Sequence, residues 1–116
     1  MSLRAFLALA LAVCVTGVFS TSHVMADDTG LASIHDWRKV GRKTCFTEHK
    51  HYGSSAGHSS KKAAQRAAIS DWQGFTAFEY GTDWAYYKYA ISKSGGCSQG
   101  SGGWKCEVEA IPCRPR

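Results

Sequence analysis

"SSKKAAQRAAISDWQGFTAFEYG", residues 59–81, decides how the rest of the chain must fold. It opens on two serines that cap helices well, runs through alanine-rich sequence and closes on a glycine. The spacing predicts one helix from about Ser60 to Tyr80, with Gly81 just past its end. At a helical period Ala64, Ala67, Ala68, Trp72, Phe75 and Phe78 share an apolar stripe about 140° wide, and Lys62, Arg66 and Gln73 fall opposite. Two residues fit this pattern badly. Gly74 costs about 1 kcal/mol relative to alanine in mid-helix, and Asp71 projects into the stripe as a candidate buried carboxylate. Gly74 either permits close approach to a sheet or ends the helix, leaving "FTAFEY" as a strand; the continuous helix is the reading adopted. Lys61 and Lys62 stand in the first turn, where the helix dipole disfavours cations by roughly 0.3–1 kcal/mol each. A surface can tolerate that cost, or a bound anion can offset it.

On the C-terminal side, "DWAYYKYAISKSGGCSQGSGGWKCEVEAIPC" (83–113) carries β character. Trp84 to Lys93 is rich in aromatic residues and reads as a strand. "GSGG" (100–103) is a turn, and "WKCEVEAI" (104–111) alternates cleanly. On the N-terminal side, "RKTCFTEHKHY" (42–52) has period two, with Cys45, Thr47, His49 and His51 on one side and Glu48 and Lys50 on the other. "GSSAGHS" (53–59) reads as a loop of small residues. The expected fold is α+β: one amphipathic helix packed on a small antiparallel sheet in β-α-β-β-β order.

The first 26 of the 116 residues read as a secretory signal. Arg4 is the positive end, "AFLALALAVCVTGVF" the apolar run, and "VMA" the cleavage site ending at Ala26. The run is short for a membrane span. A lipoprotein modified at Cys14 is the alternative, with Val13 where such boxes carry a small residue. Residues 27–34 then form a flexible leader and 35–116 one domain, near the lower size limit for a self-sufficient core. The mature chain has 13 basic and nine acidic residues and four cysteines, Cys45, Cys97, Cys106 and Cys113. An exported chain of this size with an even cysteine count is stapled by disulfides. Zinc is the competing use of four cysteines, but a C-x₂-C pair is absent and an oxidising compartment disfavours free thiolates. Four cysteines allow three pairings. Folding the chain at "GSGG" places Cys97 opposite Cys106, which leaves Cys45–Cys113. On chain entropy the short loop contributes roughly 3 kcal/mol and the long one roughly 4. The expected location is the periplasm or the extracellular space.

The helix, the aromatic strand and "C…GSGGWKC…A-x-PC" together resemble a class of small exported bacterial proteins with no established activity. The likeness covers roughly residues 60–114 and implies export and disulfides without implying chemistry. "GHSSKKAAQRAA" (57–68) is similar to the final helix of double-stranded RNA-binding domains, in which paired lysines grip phosphates. There the helix follows the strands, whereas here most strands follow the helix, so nucleic acid is not the expected partner.

Charge is concentrated in the first half of the domain: His35 to Arg66 carries eight basic residues against Asp36 and Glu48. From Ala67 onward the two signs balance. The expected anion-binding set is therefore Lys61, Lys62, Arg66, Lys50, Ser59 and Ser60. It would serve a non-enzymatic module that needs no cofactor and faces an anionic polysaccharide, lipopolysaccharide or an acidic protein surface. The alternative is a periplasmic metal-binding protein holding Zn²⁺ or Cu²⁺ through His49, His51 and His58. "GSSAG" (53–57) matches G-x-S-x-G, but that nucleophile elbow needs a large α/β sheet and an acid and histidine in order, and only His58 follows Ser55. The aromatic residues Trp84, Tyr86, Tyr87, Tyr89 and Trp104 are a candidate stacking face for sugars, less those needed in the core.

Overall fold

The structure, a computed structural model, describes residues 30–115. The signal segment and its Cys14 alternative lie outside the described residues. The elements run α1 (Gly30–Ser33), β1 (Trp37–Val40), β2 (Lys43–Phe46), β3 (His51–His58) and α2 (Lys61–Tyr80). Two 3-10 turns (Thr82–Trp84 and Tyr87–Tyr89) lead to β4 (Ile91–Gly100), β5 (Gly103–Ile111) and β6 (Cys113–Pro115). The strands form two antiparallel three-stranded sheets, ordered β1-β2-β6 and β3-β5-β4. The α+β class holds, with the strand content divided between two sheets.

α2 is continuous over its 20 residues. Ser60 caps it, its hydroxyl accepting from the Ala63 N–H at 3.1 Å, and the Gly81 N–H closes the last turn on the Ala77 carbonyl. The buried face is Ala64, Ala68, Trp72, Thr76 and Tyr80, a strict i, i+4 row. Phe75 and Phe78, assigned to the core from hydrophobicity, are exposed instead, Phe78 by 83%. Asp71 is also exposed, and its carboxylate accepts the Ser54 N–H at 2.8 Å. That bond covers part of the open edge of β3, a common device for blunting sheet edges.

β3 runs antiparallel along α2. His51 meets Thr76 and Tyr80, and the Ser55 hydroxyl donates to the Ala64 carbonyl at 2.6 Å. Between them Gly53 lies so close to the helix that a Cβ would strike the Ala68 carbonyl and the Trp72 backbone nitrogen. The close approach expected of Gly74 belongs to Gly53, since Gly74 faces open space. The "GSSAGH" segment is therefore strand rather than loop, and its small residues are what the packed helix requires. Under the helix Ala64, Ala68, Trp72, Ala90, Cys106, Val108 and Ala110 form one core cluster. A second, of Ala32, Phe46, Tyr80, Trp84 and Ile111, joins the end of α2 to the other sheet.

Both disulfides form as paired: Cys97–Cys106 across the β4–β5 hairpin and Cys45–Cys113 across β2–β6. Three further expectations change. The supposed strand 42–52 breaks after Phe46, so β2 and β3 enter different sheets. The aromatic stretch before Ile91 is two 3-10 turns. The leader is partly structured, because α1 buries Ala32 and its carbonyl accepts the Trp37 indole N–H at 3.0 Å.

Candidate functional site: a histidine and glutamate cluster at the end of the helix

Where the apolar row of α2 reaches its C-terminal end, its last two members carry hydroxyls, Thr76 and Tyr80. The residue β3 presents to them is His51, which is 2% exposed. Its ring orientation follows from the hydrogen bonds. Thr76 Oγ1 donates its single proton to the Trp72 carbonyl at 2.7 Å. Toward His51 Nδ1, 3.0 Å away, that oxygen can only accept, so Nδ1 carries the ring proton. In the neutral ring Nε2 then holds a lone pair. It lies 2.9 Å from a Glu79 carboxylate oxygen and 3.0 Å from the Tyr80 hydroxyl.

Burial pushes the His51 pKa down to about 4, against the raising pull of Glu79, and the neighbouring His49 and His35 lower it further. At neutral pH the imidazole is uncharged. Burial likewise lowers His49, helped by His35 and opposed by Glu79. Tyr80 is pushed up, first by burial and then by Glu79, whose carboxylate also hydrogen-bonds its hydroxyl. Two lone-pair atoms, His51 Nε2 and Glu79 Oε2, thus sit 2.9 Å apart, with the single proton of the neighbouring Tyr80 hydroxyl to share. A cation is the species such an arrangement favours.

His49, on the bend before β3, completes the group. Its ring centroid is 5.2 Å from that of His51, and the ligand atoms of His49, His51 and Glu79 all lie within 4.8 Å of one another. His35, just after α1, adds a third imidazole whose ring is 4.5 Å from that of His49 and whose Nε2 is 3.3 Å from the Tyr80 hydroxyl. A cleft of about 450 Å³ opens beside the group, bounded by Ile34, His35, Asp36, Phe46, Glu48 and His49.

Of the expected metal set His49 and His51 come together, but His58 does not. It ends β3 opposite Trp104, roughly 20 Å of strand away from His51. Glu79 takes the third place. The signal for it was available: Thr76 and Tyr80 continue the row of Ala64, Ala68 and Trp72, and Glu79 precedes Tyr80.

The expected anion set is divided. Ser59, Ser60, Lys61, Lys62 and Arg66 sit at the exposed start of α2, the Ser60 hydroxyl being engaged by the cap. Lys50 adjoins the other end of the helix and is ion-paired with Glu109. Ser55 is structural, its hydroxyl bonding the Ala64 carbonyl and the Cys106 N–H. The aromatic residues do not make one face. Trp84 is buried and stacked on Phe46 at 4.3 Å, and Tyr87 packs edge-on against Trp72. Among the described residues no helix is long and apolar enough to cross a membrane.

Comparison with protein-family models, with curated proteins and with solved structures gives no match to this chain.

Proposed function

We propose that this chain is an exported, disulfide-clipped module that binds a borderline divalent metal ion, Zn²⁺ or Cu²⁺, through His49, His51 and Glu79. One observation carries the reading. His51 is held with Nδ1–H on Thr76 and its Nε2 lone pair aimed at the Glu79 carboxylate, 2.9 Å away. Metal-ligating histidines are oriented in this way, with the second ring nitrogen donating to a neighbouring oxygen that fixes the tautomer. Two imidazoles and a carboxylate are a donor set suited to Zn²⁺ and Cu²⁺, whereas soft Cu⁺ prefers thiolate or thioether.

Three further features favour cation loading. The depressed pKa values of His49 and His51 leave both rings unprotonated at neutral pH, so no proton has to leave before a metal binds. Asp36 and Glu48, the two acidic residues of the otherwise basic first half, line the cleft beside His49 and offset its surroundings. The Cys45–Cys113 bridge fixes β2, and the bend from β2 to His51 is tied down by the Thr47 N–H on the Asp36 carbonyl at 2.9 Å. Two disulfides are compatible with an exported protein.

The alternative reading, a basic surface for an anionic partner, has less behind it. Its cations are divided between the two ends of α2, and Lys50 already has an acidic partner.

Calorimetric titration of the oxidised, metal-stripped protein at pH 7 decides between them. Zn²⁺ or Cu²⁺ should bind tighter than micromolar with a stoichiometry of one, and His51→Ala should abolish the heat. Absence of heat from the parent protein with either ion overturns the metal reading.

A further inference from the structure

Three ligands leave a metal with an open position, and what fills it separates a site that holds an ion from one that does chemistry on it. We infer that His35 is the fourth ligand, so that the loaded centre is a closed His₃Glu site joining the N-terminal segment to the end of α2. This inference rests on the metal-binding reading and goes beyond it by assigning the last coordination place.

His35 stands on the short connection between α1 and β1, its N–H bonded to the Ala32 carbonyl at 3.3 Å. Its ring lies 4.5 Å from the His49 ring, 5.1 Å from Phe46 and 5.4 Å from Tyr80, so it is already packed against the cluster. Its Nε2 points at the Tyr80 hydroxyl, 3.3 Å away, and the same hydroxyl lies 3.0 Å from His51 Nε2. One oxygen therefore bridges the Nε2 atoms of two histidines. A hydroxyl has one proton: with His51 Nε2 holding a lone pair, Tyr80 accepts from His35 Nε2–H, and ligation by that nitrogen requires the His35 ring proton to pass to Nδ1. A metal ion makes bonds of about 2.0 Å to imidazole nitrogen, and a cation bound by both rings replaces that bridge with two ligand bonds. The Tyr80 hydroxyl is the group that satisfies these nitrogens in the empty site.

The ligands come from three separate stretches of chain. His35 follows α1, His49 precedes β3 and His51 opens it, and Glu79 lies in the last turn of α2. Among the described residues β1, which follows His35, pairs with β2 alone. The α1–β1 joint is attached to the body by this edge strand, by the packing of Ala32, by the Thr47 N–H on the Asp36 carbonyl and by the His35 ring itself, set against Phe46, His49 and Tyr80. Loading fastens this joint.

The test compares Co²⁺ binding to the parent, His51→Ala, His35→Ala and His35→Gln proteins, all oxidised. Co²⁺ reports coordination number directly, since four-coordinate centres absorb strongly in the visible and five- or six-coordinate centres weakly. Strong bands in the parent, with affinity at least about tenfold weaker and bands faded in both His35 variants, are expected. His35→Gln keeps a side chain that can bond Tyr80, so a loss there is a loss of ligation rather than of fold. In the parent, the His35 Nε2 nitrogen resonance should move to the metal-bound position on adding Zn²⁺, which requires no variant. If His51→Ala abolishes binding while both His35 variants keep the parent's affinity and bands, His35 is not a ligand and the three-ligand site stands alone. If the parent binds neither ion, the metal reading itself fails.

Discussion

The two halves of α2 are built on the same row of buried positions, four residues apart, and they do opposite things. In the first half the row is Ala64, Ala68 and Trp72, set against Gly53 and Ser55 of β3. Small residues let helix and strand approach until backbone touches backbone, and each polar group there has a structural partner. In the second half the row continues as Thr76 and Tyr80, and β3 presents a histidine in place of glycine. The larger side chains separate the surfaces, and into that space come Glu79, His49 and His35. Close packing brings backbone to backbone in one half; polar residues at the same spacing gather imidazoles and a carboxylate in the other. If this contrast is right, the first half should respond to added volume and the second to added protons.

The largest effect is expected at Gly53. Gly53→Ala forces a methyl group onto the Ala68 carbonyl and the Trp72 backbone, neither of which can move without shifting the helix. Overpacking of this kind costs typically 1–3 kcal/mol, and a backbone obstacle puts the expected loss at about 3 kcal/mol or more by urea denaturation. Gly74→Ala, on the open side of the same helix, should stabilise by about 0.5–1 kcal/mol. Equal responses at the two glycines would show that the close contact is not what holds β3 to α2.

A smaller effect, of the opposite kind, is expected from pH. His51 titrates near 6.5 when the chain is unfolded and near 4 when it is folded and buried. Between those values the unfolded state binds more protons, so stability is full above about pH 6.5 and is lost as pH falls toward 4. Roughly 2–3 kcal/mol should disappear over that window in metal-free protein, with His49 adding in the same direction. His51→Gln should flatten the profile. Saturating Zn²⁺ should steepen it, because protons then compete with the metal for the same nitrogen. A flat profile in the parent protein would mean that His51 is not the buried neutral ring that the site requires.

How much of this could be read in the sequence differs by region for the same physical reason. The helix, its Ser60 cap, its end at Gly81 and both disulfides follow from local rules, namely capping chemistry and the count of residues either side of a turn. What local rules miss is where the sheet lies. Phe75 and Phe78 are more hydrophobic than Thr76 and Tyr80, so a stripe chosen on hydrophobicity alone rotates away from the true one and leaves the site's hydroxyls outside it. "GSSAGH" consists of turn-forming residues, yet here their smallness serves contact with α2 rather than reversal of the chain. "RKTCFTEHKHY" keeps its alternation straight through the bend at Thr47 to Lys50, so period two gives no sign that β2 and β3 belong to different sheets. His49 and His51 were legible as a pair. Glu79 and His35 join them only through tertiary packing, and His58 is separated from them by the length of β3.

The smallest expected effect concerns the lysines at the start of α2, and it tests whether that end of the molecule is as inert as its packing implies. Lys61 and Lys62 are exposed in the first turn, with no acidic residue beside them in that turn. Lys61→Glu with Lys62→Glu reverses an unfavourable interaction with the helix dipole and should raise stability by about 0.5–1 kcal/mol at low salt, fading as salt screens it. A helix end that serves only to be packed gains from this change without losing anything. If the double variant instead loses salt-sensitive affinity for a sulfated oligosaccharide that the parent binds, the two lysines are kept at a cost for an anion. The contrast between a closed half and a working half of α2 would then become one between two sites of opposite charge preference at the two ends of a single helix.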